Sequence, residues 1–264
     1  MGNIINIARK ELGIYFTTVV GYSGFGAYAF ILGLVFISTL NKFQQTTSLY
    51  LSRQQPALLE RLNFNDQIIL PTYSTGMWMF LFFVPFLTMR LFAEEKQTRT
   101  FELLMTAPIT SLQMVVGKFL GVAFMIVVMA AIPLVFPAIL HIYGTSAGPG
   151  SPVEWAPVWS SSMTVLMLGL TFCAVGLLIS ALSESQIVAA LLTFAALLLA
   201  FVLPMMAGRL EGDWRAVVEY VSPMAHVARG LQGRILFADL IYFGSFIVAF
   251  LYLTLRVVES HRWR

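Results

Sequence analysis

From its N terminus the chain runs through a short amphipathic stretch and then alternates long apolar runs with polar breaks. Six runs reach the ~20 residues that carry an α-helix through ~30 Å of hydrocarbon, where each backbone N–H and C=O must pair within its own segment. They lie at about 17–40, 73–92, 115–140, 159–182, 186–208 and 239–257 and predict six transmembrane helices in a single transmembrane domain over residues 1–264. Only Ser183, Glu184 and Ser185 separate the fourth from the fifth, which predicts an antiparallel hairpin. The interval between the second and third is long enough to hold a helix of its own. Arg9 and Lys10 ahead of an apolar stretch with Ala27 and Ala29 outline a secretory signal, but the run continues through Ile31, Val35 and Ile37 to Leu40. That exceeds a signal's apolar core and predicts an uncleaved first span.

Residues 3–16 follow a helical rather than a spanning pattern. Ile4, Ile7, Ala8, Leu12, Ile14 and Tyr15 share one arc, with Asn6, Arg9 and Lys10 opposite, as in a helix lying on a membrane surface; Glu11 interrupts the apolar arc. The fold class expected is therefore all-α and polytopic, with six transmembrane helices and an N-terminal interfacial helix.

Composition narrows the class. Of 264 residues 58% are hydrophobic and 11% charged, against about 25% charged in a soluble domain, and mean hydropathy is +0.82, which excludes a soluble globular enzyme. The net charge of +3 is too small for a nucleic-acid binder. One cysteine, Cys173, rules out an intrachain disulfide framework. An even number of spans puts both termini on one side. That side receives Arg9, Lys10, Arg90, Lys96, Arg99, Lys118, Arg256, Arg262 and Arg264, nine of the 16 basic residues, and so is expected to be cytoplasmic.

Chemistry is scarce along the chain. The interiors of the predicted spans carry none of the ionisable groups that ion-coupled carriers use. His141, His226 and His261 stand in separate segments without metal-ligand spacing, so neither a metal site nor catalytic residues are expected. Gly117–Lys118 lacks the partners of a phosphate-binding loop, with Leu112 where a glycine is needed and Phe119 in place of Ser or Thr, so energy for active transport would enter from another subunit. Gly117 with Gly121, Ala29 with Gly33 and Gly169 with Cys173 are small-residue pairs that let helices approach, within this chain rather than between chains. Pro133, Pro137 and Pro204 would kink or end their helices.

One segment stands out, residues 93–110. Phe101, Leu104 and Met105 fall at i, i+3 and i+4, so a short helix would present them together, flanked by Glu94, Glu95, Arg99 and Glu102. Pro108 ends the element, and Thr110 with Gln113 can cap the start of the third span. The outline is that of a docking helix; the plain alternative is a charged loop on lipid headgroups.

The run Glu94-Glu95-Lys96, Arg99-Thr100, Glu102-Leu103-Leu104, Thr106 and Pro108-Ile109, followed by Gly117-Lys118-Phe119-Leu120-Gly121, resembles the ABC type-2 transporter permeases, within them the gliding-motility-type branch. Three further stretches agree: Ala8-Arg9-Lys10-Glu11-Leu12, Ser222-Pro223-Met224-Ala225-His226, and Asp239-Leu240-Ile241-Tyr242-Phe243. The resemblance implies a permease subunit in a bacterial cytoplasmic membrane, working as an exporter with a pair of ABC ATP-binding subunits and a second permease copy or relative, with room for an accessory membrane subunit. ATP and Mg would sit on the partner subunit, and no cofactor on this chain. The 93–110 segment would be the coupling helix, with Glu94, Glu95, Arg99, Thr100, Phe101, Glu102, Leu104, Met105, Thr106 and Pro108 as contact residues. Residues 209–238 would form short re-entrant helices. The alternative is a membrane anchor or assembly platform of an envelope or gliding machine. A lipid, a hydrophobic drug and a glycan all remain open as substrate.

Overall fold

The computed structural model describes residues 2–17, 19–54, 58, 62–106, 108–144, 153–207, 213–234 and 236–262. Those residues are 90% helical and contain no strand. Among the described residues twelve α-helices follow one another: α1 (Gly2–Thr17), α2 (Val19–Ser52), α3 (Leu70–Thr88), α4 (Arg90–Gln97), α5 (Phe101–Thr106), α6 (Ser111–Ala131), α7 (Val135–Tyr143), α8 (Trp155–Leu182), α9 (Gln186–Ala207), α10 (Asp213–Val221), α11 (Pro223–Leu231) and α12 (Phe237–Arg262). Six stretches among the described residues are long and apolar enough to cross a membrane: Gly21–Ser52, Asn65–Gln97, Ser111–Tyr143, Trp155–Leu182, Gln186–Pro204 and Phe237–His261.

Two of the expected spans are longer than their apolar runs. The first helix continues past Leu40 because Lys42, Gln44, Gln45, Thr46 and Thr47 need no apolar partner outside hydrocarbon, and the threonines return their hydroxyls to the backbone, Thr46 to Lys42 O and Thr47 to Phe43 O. The second begins at a π turn, Asn65–Ile69, just ahead of Pro71, whose missing N–H and bulky ring an ordinary α turn cannot absorb. In the third, Pro133 breaks α6 from α7 through a 3₁₀ turn, Ile132–Leu134. Gly148, Pro149, Gly150 and Pro152, residues of a sequence that favours a non-helical connection, lie outside the described residues; Gly144 closes α7 through its N–H to Leu140 O.

The core is organised around α8, apolar on every side and buried accordingly, with Val158, Val165, Leu168, Phe172 and Leu177 inside. It packs against α3, α6, α9, α11 and α12. Gly169 lets it approach Phe80 and Ile126: a Cβ at Gly169 would stand 2.7 and 2.6 Å from their side chains. Ser183 ends α8, and Gln186 starts α9 as the expected hairpin. Gly33, by contrast, meets nothing within 4 Å, so the Ala29–Gly33 pair is not a contact within the chain.

Helix α1 does not lie free on one face. Its apolar arc packs on α6 over Gly117 and Gly121, where a Cβ would come 2.8 Å from Ile7 Cβ and 2.8 Å from Glu11 Cβ. The Gly117–Gly121 spacing is thus a seat for a helix of the same chain. Tyr15 ends the arc buried; burial pushes its hydroxyl pKa up, so the phenol stays protonated and donates to Leu87 O.

Candidate coupling site at one end of the bundle

The second span does not stop at Phe92. α4 continues α3 beyond Met89 through Gln97, so Glu94 and Glu95 belong to a cantilever of the span, separate from the short helix that follows. Arg99 breaks the chain with φ 57°, a left-handed turn. Thr98 and Thr100 share a hydroxyl contact of 2.9 Å across it, and Thr100 also donates to Glu95 O at 3.3 Å. α5 then runs six residues, and Thr110 caps α6 as expected: Gln113 N donates to Thr110 Oγ1 at 3.2 Å and Thr110 N to Gln113 Oε1 at 3.3 Å.

The expected docking face is rotated. Phe101 is 7% exposed, edge-on to Phe92 and to the His261 ring of α12, with Lys96 Nζ 5.6 Å over its face. Leu104 is half-buried against the core. The apolar pair fastens α5 to the bundle because Phe92 and α12 offer it apolar surface there. Outward stand Glu102, Leu103, Thr106 and Pro108, with Leu103 70% exposed. The side chain of Met105 lies outside the described residues. Arg99 and Glu102 rim a polar notch of about 380 Å³ closed by Lys96, Glu184 and His261.

Glu95 is turned inward as well. Lys118, read from sequence as an ordinary basic residue at a span end, has a side chain only 2% exposed, with Nζ 2.9 Å from Glu11 Oε1, 2.8 Å from Glu95 Oε1 and 2.5 Å from Leu91 O. The ammonium's three donors thus meet three acceptors, beside the Phe92 ring. Lys10 adds a looser pair to Glu95 at 3.4 Å. Gly117–Lys118 therefore lies inside a helix. This cluster joins α1, α4 and α6, and Glu11 is the residue that interrupted the apolar arc. That interruption was the available signal; Lys118 carried none, since cations at span ends usually reach for water.

At the opposite end the described residues of the 209–238 region form two short helices, α10 and α11, and the start of α12. Ser222 caps α11 ahead of Pro223. His226, isolated in sequence, meets Asp239 at 2.6 Å and stacks on Tyr242 at 3.9 Å, while Arg229 donates to the same Asp239 oxygen. Asp239→Leu would strip Arg229 and His226 of their acceptor, and about 1–3 kcal/mol of stability is expected to go with it, read as a lower unfolding temperature in detergent. An unchanged temperature would show the cluster to be structurally idle. Among the described residues no three His, Cys, Asp or Glu side chains gather as metal ligands.

A helical bundle with six membrane-length apolar helices is a multi-pass membrane protein. The chain matches the family model for the ABC-2 family transporter protein over residues 6–255 and belongs to that family, the membrane component of an ABC transporter. The family implies a lipid bilayer and an ABC ATPase as partners. No curated protein matches the chain.

Proposed function

We propose that this chain is the permease half of an ATP-driven exporter in a bacterial cytoplasmic membrane, both termini cytoplasmic, paired with a second permease and driven by two separate ATP-binding subunits through α4 and α5. The order of its sequence motifs supports a gliding-motility-type permease as the finer reading. One observation carries the coupling role: α5 projects between the second and third spans, anchored inward by Phe101 and, through α4, by Glu95 on Lys118, while its other face offers Leu103 among Glu102, Thr106 and Pro108. Such a helix transmits force because its seat is rigid, and recognises a partner cleft through one exposed apolar anchor with polar flanks. ATP-driven closure of the ATPase pair would displace α5 and, with it, both attached spans; this chain supplies no chemistry.

The test separates the two faces. Leu103→Glu is expected to lower co-purification of the ATPase subunit by about tenfold or more while the permease inserts and folds normally. Phe101→Glu should instead reduce the yield of folded permease. Undiminished ATPase association in the Leu103→Glu protein would sink the docking role of α5.

A further inference from the structure

A cavity of about 510 Å³ opens between α1, α2 and α3, at the end of the bundle that carries α4. Its size falls within the ~300–1,000 Å³ of small-molecule sites. Most of its wall is apolar, with Phe25, Phe83, Phe86 and Leu87 along it. Its charged groups are Arg90 and Glu94, which stand at the point where the apolar second span gives way to charged α4, and Tyr15, Ser23 and Gln186 add polar groups to the wall.

Arg90 is the informative residue. Its side chain is 14% exposed, yet among the described residues its guanidinium makes no hydrogen bond. Its partners are Glu94 at 3.6 Å, a loose i,i+4 pair, and the Tyr15 ring at 5.0 Å. Five N–H donors on a largely buried cation are normally matched to acceptors, and a guanidinium fork fits a phosphate in particular. Glu94, 46% exposed on the same rim, presents a carboxylate with spare acceptor capacity.

We propose that this cavity binds one amine-bearing phospholipid, with an acyl chain along Phe25, Phe83 and Phe86, its phosphate on Arg90 and its ammonium on Glu94. The argument for the class is charge complementarity. A purely anionic headgroup would meet the Glu94 carboxylate, and a neutral diacylglycerol would leave Arg90 without acceptors; a zwitterion satisfies both. The site goes beyond the coupling role, since its charged pair, Arg90 and Glu94, is separate from the Glu95–Lys118 pair that ties α4 to α6, and it needs no ATPase.

The experiment uses the full chain in bilayers of equal parts phosphatidylethanolamine, phosphatidylglycerol and diacylglycerol, followed by gentle extraction and native mass spectrometry of the retained lipid. The expected result is one phosphatidylethanolamine per chain, enriched over the other two. Arg90→Gln should cut that enrichment about tenfold, because hydrogen bonds to a charged group are lost. Gly24→Leu should abolish retention by filling the cavity, since a Cβ there meets only Phe83 at an ordinary 3.5 Å. Phosphatidylglycerol or diacylglycerol retained as well as phosphatidylethanolamine, no lipid retained by the unaltered chain, or full retention in either variant would each overturn the proposal. The headgroup comparison on the unaltered chain stands even if a variant does not fold.

Discussion

Lys118→Met is expected to be among the most damaging single changes in the protein, at a cost of about 3–5 kcal/mol, because it leaves the Glu11 and Glu95 carboxylates buried without their cation. The size follows from an asymmetry. Removing two or three buried charges together is often neutral, since desolvation roughly cancels their attraction, whereas removing one partner leaves the full desolvation cost of the others. Glu11 and Glu95 side chains are 5% and 11% exposed, so solvent cannot take over from the ammonium, and Lys10 at 3.4 Å with a side chain 56% exposed is a weak substitute. The triple variant Glu11→Gln, Glu95→Gln, Lys118→Met should recover most of the loss. The reading is the apparent unfolding temperature in detergent, tracked by fluorescence size exclusion. Equal temperatures for Lys118→Met and the unaltered protein would refute the buried cluster; a triple variant as unstable as the single one would show that packing of the lysine stem, not its charge, holds α1, α4 and α6 together.

The same cluster shows where sequence reading reaches and where it stops. The six spans were legible because an uninterrupted apolar run is a one-dimensional signal, and so was the α8–α9 hairpin, whose turn is three polar residues. The cap at Thr110 was legible because both of its partners are local. The inward rotation of Phe101 was not: a six-residue helix has the same periodicity whichever face it buries, and the choice was made by Phe92 and His261, nine and 160 residues away. Lys118 was hidden because its partners come from two other elements. His226 and Asp239, thirteen residues apart on separate helices, were hidden for the same reason. Glu11 was the one visible trace, a carboxylate on an apolar arc with no partner in its own helix, and such a mismatch is where a tertiary ion pair should be sought.

Gly117→Val and Gly121→Val are each expected to lift α1 from the bundle, at about 1–3 kcal/mol apiece from overpacking. A Cβ at Gly117 would lie 2.8 Å from Ile7 Cβ, 2.9 Å from Ile7 Cγ2 and 3.1 Å from Ile4 O; one at Gly121 would lie 2.8 Å from Glu11 Cβ and 3.4 Å from Ala8 O. The obstacles are backbone and β-carbons, which no rotamer change clears, so the helix itself must move and carry Glu11 off Lys118. Detachment can be read directly. Asn3 Nδ2 reaches Gln113 Oε1 at 3.4 Å, so cysteines at those two positions, with buried Cys173 changed to Ala, should be joined efficiently by a short bifunctional maleimide in the otherwise unaltered chain. Either valine should sharply lower that yield. Gly33→Val supplies the control, since Gly33 belongs to a similar small-residue pair but has nothing within 4 Å, and it should leave the yield unchanged. Equal cross-linking in all four proteins would mean that α1 does not depend on the two glycines, and the close approach of α1 to α6 would then be wrong. Loss of cross-linking together with ATPase coupling would place α1 in the moving unit, since the valines displace the Glu11–Lys118–Glu95 charges that tie the helix to α4.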